Sequence, residues 1–421
     1  MVKNKAYDIV VIGGGPAGMS AAFSAHQNGA SVLLVEREYR LGGILNQCIH
    51  NGFGLHYLGE ELTGPEYANV WVEKLKETNV DVLLKSAVTK IEKLGTKKMQ
   101  VFVQNESGIS KILCKAVVLS MGCRERPGPA INLCGDRPAG IFSAGEAQKI
   151  VNVHGKMVGK KVVILGSGDI GLIMARRMTL EGAKVLGVYE IQKTCGGLAR
   201  NVSQCLNDFK IPLYLSTSIV KTVGEKRLTG VVVAPVKEDF SFDLTKQKLV
   251  KCDTLLLSVG LIPECDLIND FNLEWSKATN SVAVNEYKQT SVPEIFVCGN
   301  VLHVNDLVDN VTYEGLDAGK FSAKFSKTKL DTEQKIKIEF DKHFRYTVPT
   351  YVYKNSEDVS ISFRSTGEFF KVKINAYSGG EVVATFFKPV VRAGILEKIV
   401  LNKSKLKDDL ILKMEVEEWK E

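Results

Sequence analysis

The sequence predicts an α/β fold with two Rossmann-like domains and a small all-β C-terminal domain. Residues 13–18 and 166–171 both have the form Gly-x-Gly-x-x-Gly, and each lies between an apolar, strand-like run and a helix-like one. An acidic residue follows each motif after about 20 residues, as in dinucleotide-binding βαβ units. After residue 343, apolar and polar residues alternate with period two, which is typical of strands.

The first glycine motif follows residues 7–12, whose β-branched side chains predict a buried parallel strand. Gly13 permits the tight turn, Gly15 lets a diphosphate approach the backbone, and Gly18 lets the next helix pack against the sheet. That helix is predicted from Pro16 to Asn28, and its free N–H groups would face the diphosphate.

The second glycine motif repeats this order of elements. Residues 161–165 form the predicted strand, Gly166, Gly168 and Gly171 take the three glycine roles, and a helix is predicted over 172–181. The two motifs together indicate that the chain binds two dinucleotides, which usually exchange electrons when one protein holds both.

A carboxylate ends the second strand of each unit. Glu36 lies 18 residues after Gly18, and Glu190 lies 19 residues after Gly171. Such a residue hydrogen-bonds the ribose hydroxyls of an adenosine and would repel a 2′-phosphate. Because Lys193 is the one basic residue just after Glu190, the second site favours NADH over NADPH.

With both motifs present, the first 330 residues resemble the FAD- and NAD(P)-dependent pyridine-nucleotide disulfide oxidoreductase superfamily. Residues 116–127 and 254–263 resemble its two crossovers between domains, and residues 294–300 resemble its second FAD signature. The resemblance implies that FAD occupies the first site and NAD(P)H the second, with the NAD(P)-binding domain inserted in the FAD-binding domain.

The resemblance also carries cofactor contacts onto this chain. For NAD they are Gly166, Gly168, Gly171 and Glu190, and for FAD they are Gly13, Gly15, Gly18, Glu36, Gly43, Gly122, Gly299 and Asn300. Asn300 stands where the superfamily usually has Asp, so it can bond the flavin ribityl chain without adding charge. A helix is predicted over 312–324, and the superfamily points the N-terminus of such a helix at the flavin.

Residues 42–54 and 60–68 look more specifically like a bacterial subgroup of FAD-dependent oxidoreductases. Members of that subgroup are associated with glycerol-3-phosphate dehydrogenase systems, and they resemble subunits of opine- and sarcosine-oxidising complexes. This closer resemblance implies a partner dehydrogenase subunit.

The redox cysteine pair of the superfamily is missing. One type of member has two cysteines where this chain has Leu45 and His50, and another has Cys-x-x-Cys where residues 140–146 contain no cysteine. The nine cysteines include no Cys-x-x-Cys, which argues against a zinc or iron–sulfur site, so no metal is expected. Disulfide reductase activity is therefore not expected.

Cys48 and His50 are the two candidate catalytic residues. The superfamily places their loop under the flavin ring, where a Cys48 thiolate could form a charge-transfer contact and His50 could donate a proton. Alternatively, Cys48 is an inert residue that fills a crowded loop, and His50 is a hydrogen-bonded structural residue.

The motifs divide the chain into three predicted domains. Residues 1–124 and 263–330 form the FAD-binding domain, residues 125–262 the NAD(P)-binding domain, and residues 343–421 the β-rich domain. The β-rich domain lacks a cluster of catalytic residue types, so it is either a docking module or a lid that completes the core of this subunit.

The composition excludes several other classes of protein. The net charge of +7 is scattered, without the basic stripe and interleaved aromatic residues of a nucleic-acid interface. The apolar N-terminal run is broken by three glycines and Pro16, so it is neither a signal peptide nor a membrane span. Unpaired cysteines without such a signal favour the reducing cytoplasm.

Three functions compete on this sequence. The first is an FAD enzyme that exchanges hydride with NADH and passes electrons to a small-molecule or protein acceptor other than a disulfide, with a homo-oligomer left open. The second is an electron-transferring flavoprotein subunit, inactive alone, of a glycerol-3-phosphate or amino-acid and opine dehydrogenase. The third is a non-enzymatic FAD-stabilised scaffold or sensor, which the complete second dinucleotide site disfavours.

Overall fold

The computed structural model describes residues 5–354 and 358–416. The chain forms two compact units. The first comprises Met1–Asn46, Asn51–Cys123 and Pro263–Glu421, and the second comprises Gln47–His50 and Arg124–Ile262. The parallel sheets and flanking helices described below confirm the predicted fold class, two Rossmann-like domains with an all-β C-terminal part.

The described residues form six α-helices. In chain order, α1 to α6 are Pro16–Gln27, Gly64–Lys76, Ala144–Asn152, Asp169–Leu180, Ala199–Asn201 and Val308–Lys327. The helices predicted after the two glycine motifs are α1 and α4, which begin within three residues of their predicted starts. The helix predicted over 312–324 is the longer α6.

The first unit contains a seven-stranded sheet. Its strands, in spatial order, are Asp81–Leu83, Val32–Val35, Tyr7–Ile12, Gly108–Leu119, Lys98–Asn105 and Ala87–Gly95, and Ile295–Val297 also pairs with Gly108–Leu119. The strands around Tyr7–Ile12 are parallel, whereas the last three form an antiparallel meander. Ile9, Val10 and Val11 are fully buried, as expected of a central strand covered on both faces.

Small residues hold α1 and α6 close together. A side chain on Gly315 would meet the Ala17 carbonyl and the Ser20 hydroxyl, and one on Gly319 would meet the Ala21 carbonyl. The alanine-rich α1 therefore lies in direct backbone contact with α6, and both helices cover the same face of the sheet core.

The second unit contains a five-stranded parallel sheet. Its order is Ile141–Ser143, Thr254–Leu257, Lys161–Leu165, Lys184–Tyr189 and Leu213–Tyr214. A four-stranded sheet accompanies it, formed by Cys134–Gly135, Thr217–Gly224, Leu228–Pro235 and Lys248–Val250. The two crossover segments, Cys123–Glu125 and Leu261–Pro263, pair with each other.

Two short hairpin-like pairs complete the strands of the first unit outside its C-terminal part. They are Asn51–Phe53 with Leu62–Thr63, and Trp275–Ser276 with Ser281–Val282. The second of them lies on the return path of the chain into the first unit.

The C-terminal part of the first unit is all β and begins at Lys335. One sheet has the order Tyr351–Tyr353, Lys335–Phe340, Leu410–Glu415, Phe369–Ser378 and Glu381–Val391, and the other has Phe344–Val348, Val359–Ser365 and Glu397–Leu401. Apolar residues of both sheets share one buried core. Because strand Lys335–Phe340 pairs within this part, the β-rich region includes residues that precede position 343.

A buried arginine ties these strands to the loop after Asn300. Arg364 donates hydrogen bonds to the Asp306 carboxylate at 2.6 Å and to the Val304 carbonyl at 3.1 Å. The second Asp306 oxygen accepts from the Leu396 amide at 2.7 Å. The C-terminal strands thus fix the course of the loop 301–307. Among the described helices, none combines the length and apolar character that a membrane crossing requires.

Candidate functional site

The first glycine motif forms a tight turn that opens on one side. Gly13 has φ of 103°, and a Cβ there would lie 2.6 Å from the Ser120 carbonyl oxygen. A Cβ on Gly18 would clash with the Gly13 carbonyl. A Cβ on Gly15, in contrast, would meet no atom within 4 Å. The first and third glycines serve packing, while Gly15 faces open space where a diphosphate fits.

The N-terminus of α1 is left without a side-chain cap. Gly15 is its N-cap residue and supplies no acceptor to the first N–H groups. The N-terminus of α2 is different, because Thr63 and Glu66 form a capping box there. Free donors, a positive helix end and an open cradle are the features that a diphosphate requires. The residues present therefore fit the adenosine-diphosphate half of FAD.

Glu36 lies beside this turn and is already oriented. Its Oε2 accepts from the Gly14 amide at 2.6 Å, and its Oε1 accepts from the Glu38 amide at 2.8 Å. Gly43 approaches the same turn, since a Cβ on it would lie 3.0 Å from the Gly15 Cα. The structure brings Glu36, Gly43 and the glycine motif together.

The second glycine motif has the same construction. Gly166 has φ of 97°, and a Cβ there would clash with the Ser258 carbonyl oxygen. A Cβ on Gly171 would lie 2.6 Å from the Gly166 carbonyl, whereas one on Gly168 would meet only the Ser258 hydroxyl at 3.7 Å. Gly168 is also the N-cap residue of α4 and supplies no side-chain cap, so the second motif has the same open turn at a helix N-terminus, which would suit a diphosphate.

Glu190 is buried at the end of strand Lys184–Tyr189. Its Oε2 accepts from both the amide and the hydroxyl of Ser167, and its Oε1 accepts from the Gln192 amide at 2.9 Å. Lys193, the nearby basic residue, donates to the Glu238 carboxylate at 2.8 Å. Glu190 thus lies beside the turn of the second glycine motif, whereas Lys193 is paired with Glu238.

The buried Gly299 and the half-buried Asn300 form a turn that contacts α6. The Gly299 amide donates to Glu314 Oε2 at 2.8 Å, and a Cβ on Gly299 would lie 2.8 Å from the Ala17 Cβ. Asn300 Oδ1 accepts from the Asn305 amide at 2.9 Å. This turn therefore lies against α1, close to the first glycine motif.

His303 and Glu314 form a buried pair behind this turn. His303 Nε2 lies 2.6 Å from Glu314 Oε1. Burial opposes the ionisation of Glu314, yet the histidine and the Gly299 amide hold the pKa of this carboxyl below its usual value. His303 Nδ1 is buried and has no partner among the described residues. The carboxylate thus has both oxygens engaged.

The sequence gives little sign of this pair. His303 lies in a loop and Glu314 lies within α6, and neither belongs to a recognisable sequence motif. A charged residue at a position of α6 that faces the core was the one available signal, since charged side chains are rarely buried without a partner.

Gly122 lies in the first crossover. Its carbonyl accepts from the Glu264 amide at 3.0 Å, which joins the outgoing and returning segments of the chain. A Cβ on Gly122 would meet no atom within 4 Å, so space remains beside its backbone. Like Gly15, it stands at an open position.

The segment Gln47–His50, which carries both candidate catalytic residues, belongs to the second unit and packs on α3. Gln47 donates to the Gly145 carbonyl at 2.8 Å, and Asn152 donates to the Gln47 carbonyl at 2.8 Å. The Cys48 sulfur lies 3.7 Å from Gln148 Oε1. His50 is partly buried in the same segment.

Cys48 is partly buried, and this burial raises the pKa of its thiol to about 12. The thiol is then protonated at neutral pH, which weighs against a thiolate contact with a flavin. All nine cysteines lie in described residues, and none of them forms a disulfide.

Where another type of relative would carry its cysteine pair, this chain has a capped helix start. Ser143 is the N-cap of α3 and accepts from the Glu146 amide at 3.3 Å. The Glu125 carboxylate accepts from the Ser143 hydroxyl and, at 2.7 Å, from the Gly145 amide. These groups satisfy the helix N-terminus but have no redox chemistry of their own.

Comparison with known proteins places these sites in context. Residues 7–315 match the family model described as pyridine nucleotide-disulphide oxidoreductase. Hydrogen cyanide synthase subunit HcnB of Pseudomonas protegens is 28% identical over 319 residues, which are 69% of this chain and 65% of that protein. Ferredoxin–NADP reductase 2 of Listeria welshimeri is 24% identical, and the match covers 71% of this chain and 86% of that protein.

Solved structures agree on the fold. The thioredoxin reductase of T. acidophilum matches with a TM-score of 0.64 and 22% identity, covering 77% of this chain and 100% of that one. An NAD-dependent persulfide reductase from A. fulgidus matches with a TM-score of 0.58 and 19% identity, covering 94% of this chain and 71% of that one. At these identities the likeness concerns the fold alone.

Proposed function

The chain belongs to the pyridine nucleotide-disulphide oxidoreductase family, and on that premise we propose that it is an NADH-dependent flavoenzyme whose electron acceptor is not a disulfide. Membership of this family of oxidoreductases implies binding of FAD and NAD(P)H. Bound together, the two cofactors supply hydride transfer between the nicotinamide and the flavin, while the protein supplies positions and charges.

The first glycine motif is the proposed FAD site. Gly13, Gly15, Gly18 and Glu36 would hold the adenosine-diphosphate half, as the open cradle at Gly15 and the oriented carboxylate support. Gly43, Gly122, Gly299 and Asn300 would hold the flavin half. In this assignment Glu314 keeps the Gly299 amide in place, and Asn300 would bond the ribityl chain through its amide side chain.

The preference for NADH rests on one observation, the buried carboxylate of Glu190 beside the second cradle. Gly166, Gly168 and Gly171 would hold the diphosphate, and Glu190 would accept a ribose hydroxyl with the lone pairs that Ser167 leaves free. A 2′-phosphate would meet this carboxylate, and Lys193 is engaged by Glu238. Repulsion without a basic counterpart disfavours NADPH.

An acceptor other than a disulfide follows from the missing cysteine pair. Helix α3 has Ser143 as its N-cap, bonded to the Glu125 carboxylate, where such relatives have cysteines, and Cys48 forms no disulfide. His50 remains the proposed proton donor, with Cys48 as a neutral neighbour. We place the enzyme in the reducing cytoplasm, where its nine thiols would stay reduced.

Anaerobic titration with NADH tests this function. The purified, yellow full-length chain should lose its flavin absorbance near 450 nm after about one equivalent of NADH, as expected of two-electron reduction. The same titration with NADPH should require a large excess. Failure of both nucleotides to reduce a chain that retains FAD would overturn the proposal, and faster reduction by NADPH would overturn the role of Glu190.

A second candidate function is an electron-transferring subunit that is inactive alone. The similarity to HcnB, which is named as a subunit of a synthase, favours it, as does the resemblance of residues 42–54 and 60–68 to subunits of glycerol-3-phosphate, opine and sarcosine systems. The β-rich part would then dock the partner, although its bond from Arg364 to Asp306 equally suits a lid that completes this subunit.

Purification of the tagged chain from its native host separates the two candidates. Co-elution of a second flavoprotein or an iron–sulfur protein, with activity only in the complex, would support the subunit. A homo-oligomer that turns over NADH with a soluble acceptor would support the free-standing enzyme.

A further inference from the structure

Arg364 is a buried arginine of the C-terminal part, and it lies outside the residues that match the family model, which end at position 315. Its guanidinium group donates to the Tyr346 hydroxyl at 3.1 Å and to the Gly394 carbonyl at 2.5 Å. The same group makes the bonds to Val304 and Asp306 described above. Because a guanidinium is planar and its donors point in fixed directions, these bonds hold the partners of Arg364 in one arrangement.

The loop partners of Arg364 flank the residue that orients Asn300. Val304 and Asp306 lie on either side of Asn305, whose backbone amide donates to Asn300 Oδ1 at 2.9 Å. Arg364 bonds the carbonyl of the first neighbour and the carboxylate of the second. The position of the Asn305 amide, and with it the direction of the Asn300 side chain, therefore depends on Arg364.

Tyr346 of the C-terminal part holds the same loop nearer its start. The His303 ring is buried and packs edge-on against the Tyr346 ring, with 6.0 Å between the ring centres. His303 in turn lies 2.6 Å from the Glu314 carboxylate, which accepts from the Gly299 amide. Arg364 and Tyr346, which are bonded to each other, thus contact the loop at both of its ends.

We propose that Arg364 is a positioning residue for the flavin half of FAD, because it holds the loop that sets the direction of the Asn300 side-chain amide. This inference rests on the proposed FAD site. Arg364 acts on the flavin half alone, since its bonds go to the loop after Asn300, whereas the adenosine half is assigned to the glycine motif at residues 13–18. The C-terminal part would then complete the cofactor site of this subunit rather than serve only as a docking module.

Rebinding of FAD to the full-length chain, after removal of bound FAD, tests this role. ADP is measured as a competitor of FAD, so that it reports the adenosine half of the same site. Arg364→Met should weaken FAD binding about 3- to 10-fold, the loss expected when one hydrogen bond to the ligand is misplaced, and should leave the inhibition constant of ADP unchanged. Arg364→Lys keeps the charge without the planar donors, so its FAD affinity should be intermediate.

Two control variants separate this role from a general loss of stability. Arg392→Met changes an exposed arginine of the same part, which pairs with Glu368, and it should alter neither FAD nor ADP binding. Gly15→Ala should weaken both ligands, because its methyl group enters the space assigned to the diphosphate.

If Arg364→Met does not fold, Asp306→Asn takes its place. It keeps the shape of the side chain but weakens the bond to Arg364, so it should give the same selective loss of FAD affinity. Unchanged FAD binding in the folded variants, or an equal loss of FAD and ADP affinity, would overturn the role of Arg364. A wild-type chain that rebinds no FAD would instead overturn the proposed FAD site, and this inference with it.

Discussion

Glu190 accepts two hydrogen bonds from Ser167, one from its backbone amide at 2.9 Å and one from its hydroxyl at 2.7 Å. Glu36 makes the corresponding bond to the Gly14 amide at 2.6 Å. In both motifs, the acid is thus fixed by the residue between the first two glycines. Each carboxylate proposed to bind a ribose is oriented by the same turn that is proposed to bind the diphosphate.

Glu190→Ala should raise the KM for NADH about 10- to 100-fold, because hydrogen bonds to a charged group contribute roughly 1.5–3 kcal/mol. Steady-state kinetics with NADH and NADPH measure this effect. Lys193→Ala is the matched control and should leave the KM for NADH unchanged, since Lys193 pairs with Glu238. An unchanged KM in the Glu190 variant would contradict the assigned role.

Gly15→Ala should fold normally but lose FAD. Its added methyl group enters open space in the protein, where it would obstruct the approach of a diphosphate. The FAD content after purification and the unfolding midpoint of the apoprotein measure the two effects. Gly18→Ala, in contrast, should destabilise the apoprotein itself, because its methyl group would clash with the Gly13 carbonyl. Equal stability losses in both variants would contradict this division of roles.

Glu314→Gln should make the stability of the chain less dependent on pH. The native environment lowers the pKa of Glu314 below 4.5, so the unfolded state binds the proton more tightly. The stabilisation from the ionised carboxyl is therefore present above pH 4.5 and is lost as the pH falls through the native pKa.

The variant should lose about 1–3 kcal/mol at pH 7, where the hydrogen bonds to the charged group are weakened. Urea unfolding at pH 7 and at a series of acidic pH values gives both quantities. A variant whose pH profile has the same slope as the wild type below pH 4.5 would show that Glu314 is not ionised in the native state.

Cys48→Ser should leave both turnover and the flavin spectrum unchanged, because burial keeps the thiol protonated at neutral pH. Iodoacetamide labelling at pH 7, followed by peptide mapping, should modify the exposed Cys134 well before Cys48. A long-wavelength absorption band that disappears in the serine variant would instead establish a thiolate contact with the flavin.

The predictable parts of this protein are those in which local sequence determines local structure. The turns at Gly13 and Gly166, the helices after them and the strands that alternate with period two follow from backbone sterics and side-chain periodicity. Glu36 and Glu190 could be identified because each acid lies a fixed distance from its glycine motif, at the end of a strand parallel to the preceding one.

The remaining features depend on contacts between distant residues, which periodicity does not report. His303 and Glu314 meet because α6 packs over the Gly299 turn. Cys48 lies in a motif that pointed to a flavin contact. Its protonation depends on the packing of Gln47–His50 against α3, which sequence alone does not specify.

The membership of Gln47–His50 in the second unit matters for anyone who wishes to study that unit as a fragment. A fragment spanning 124–262 would lack Gln47, leaving the Gly145 carbonyl and the Asn152 amide without their bonds on α3. Neither unit of this protein is therefore one continuous stretch of the chain. A fragment meant to reproduce the second unit would need the segment Gln47–His50 in addition to residues 124–262.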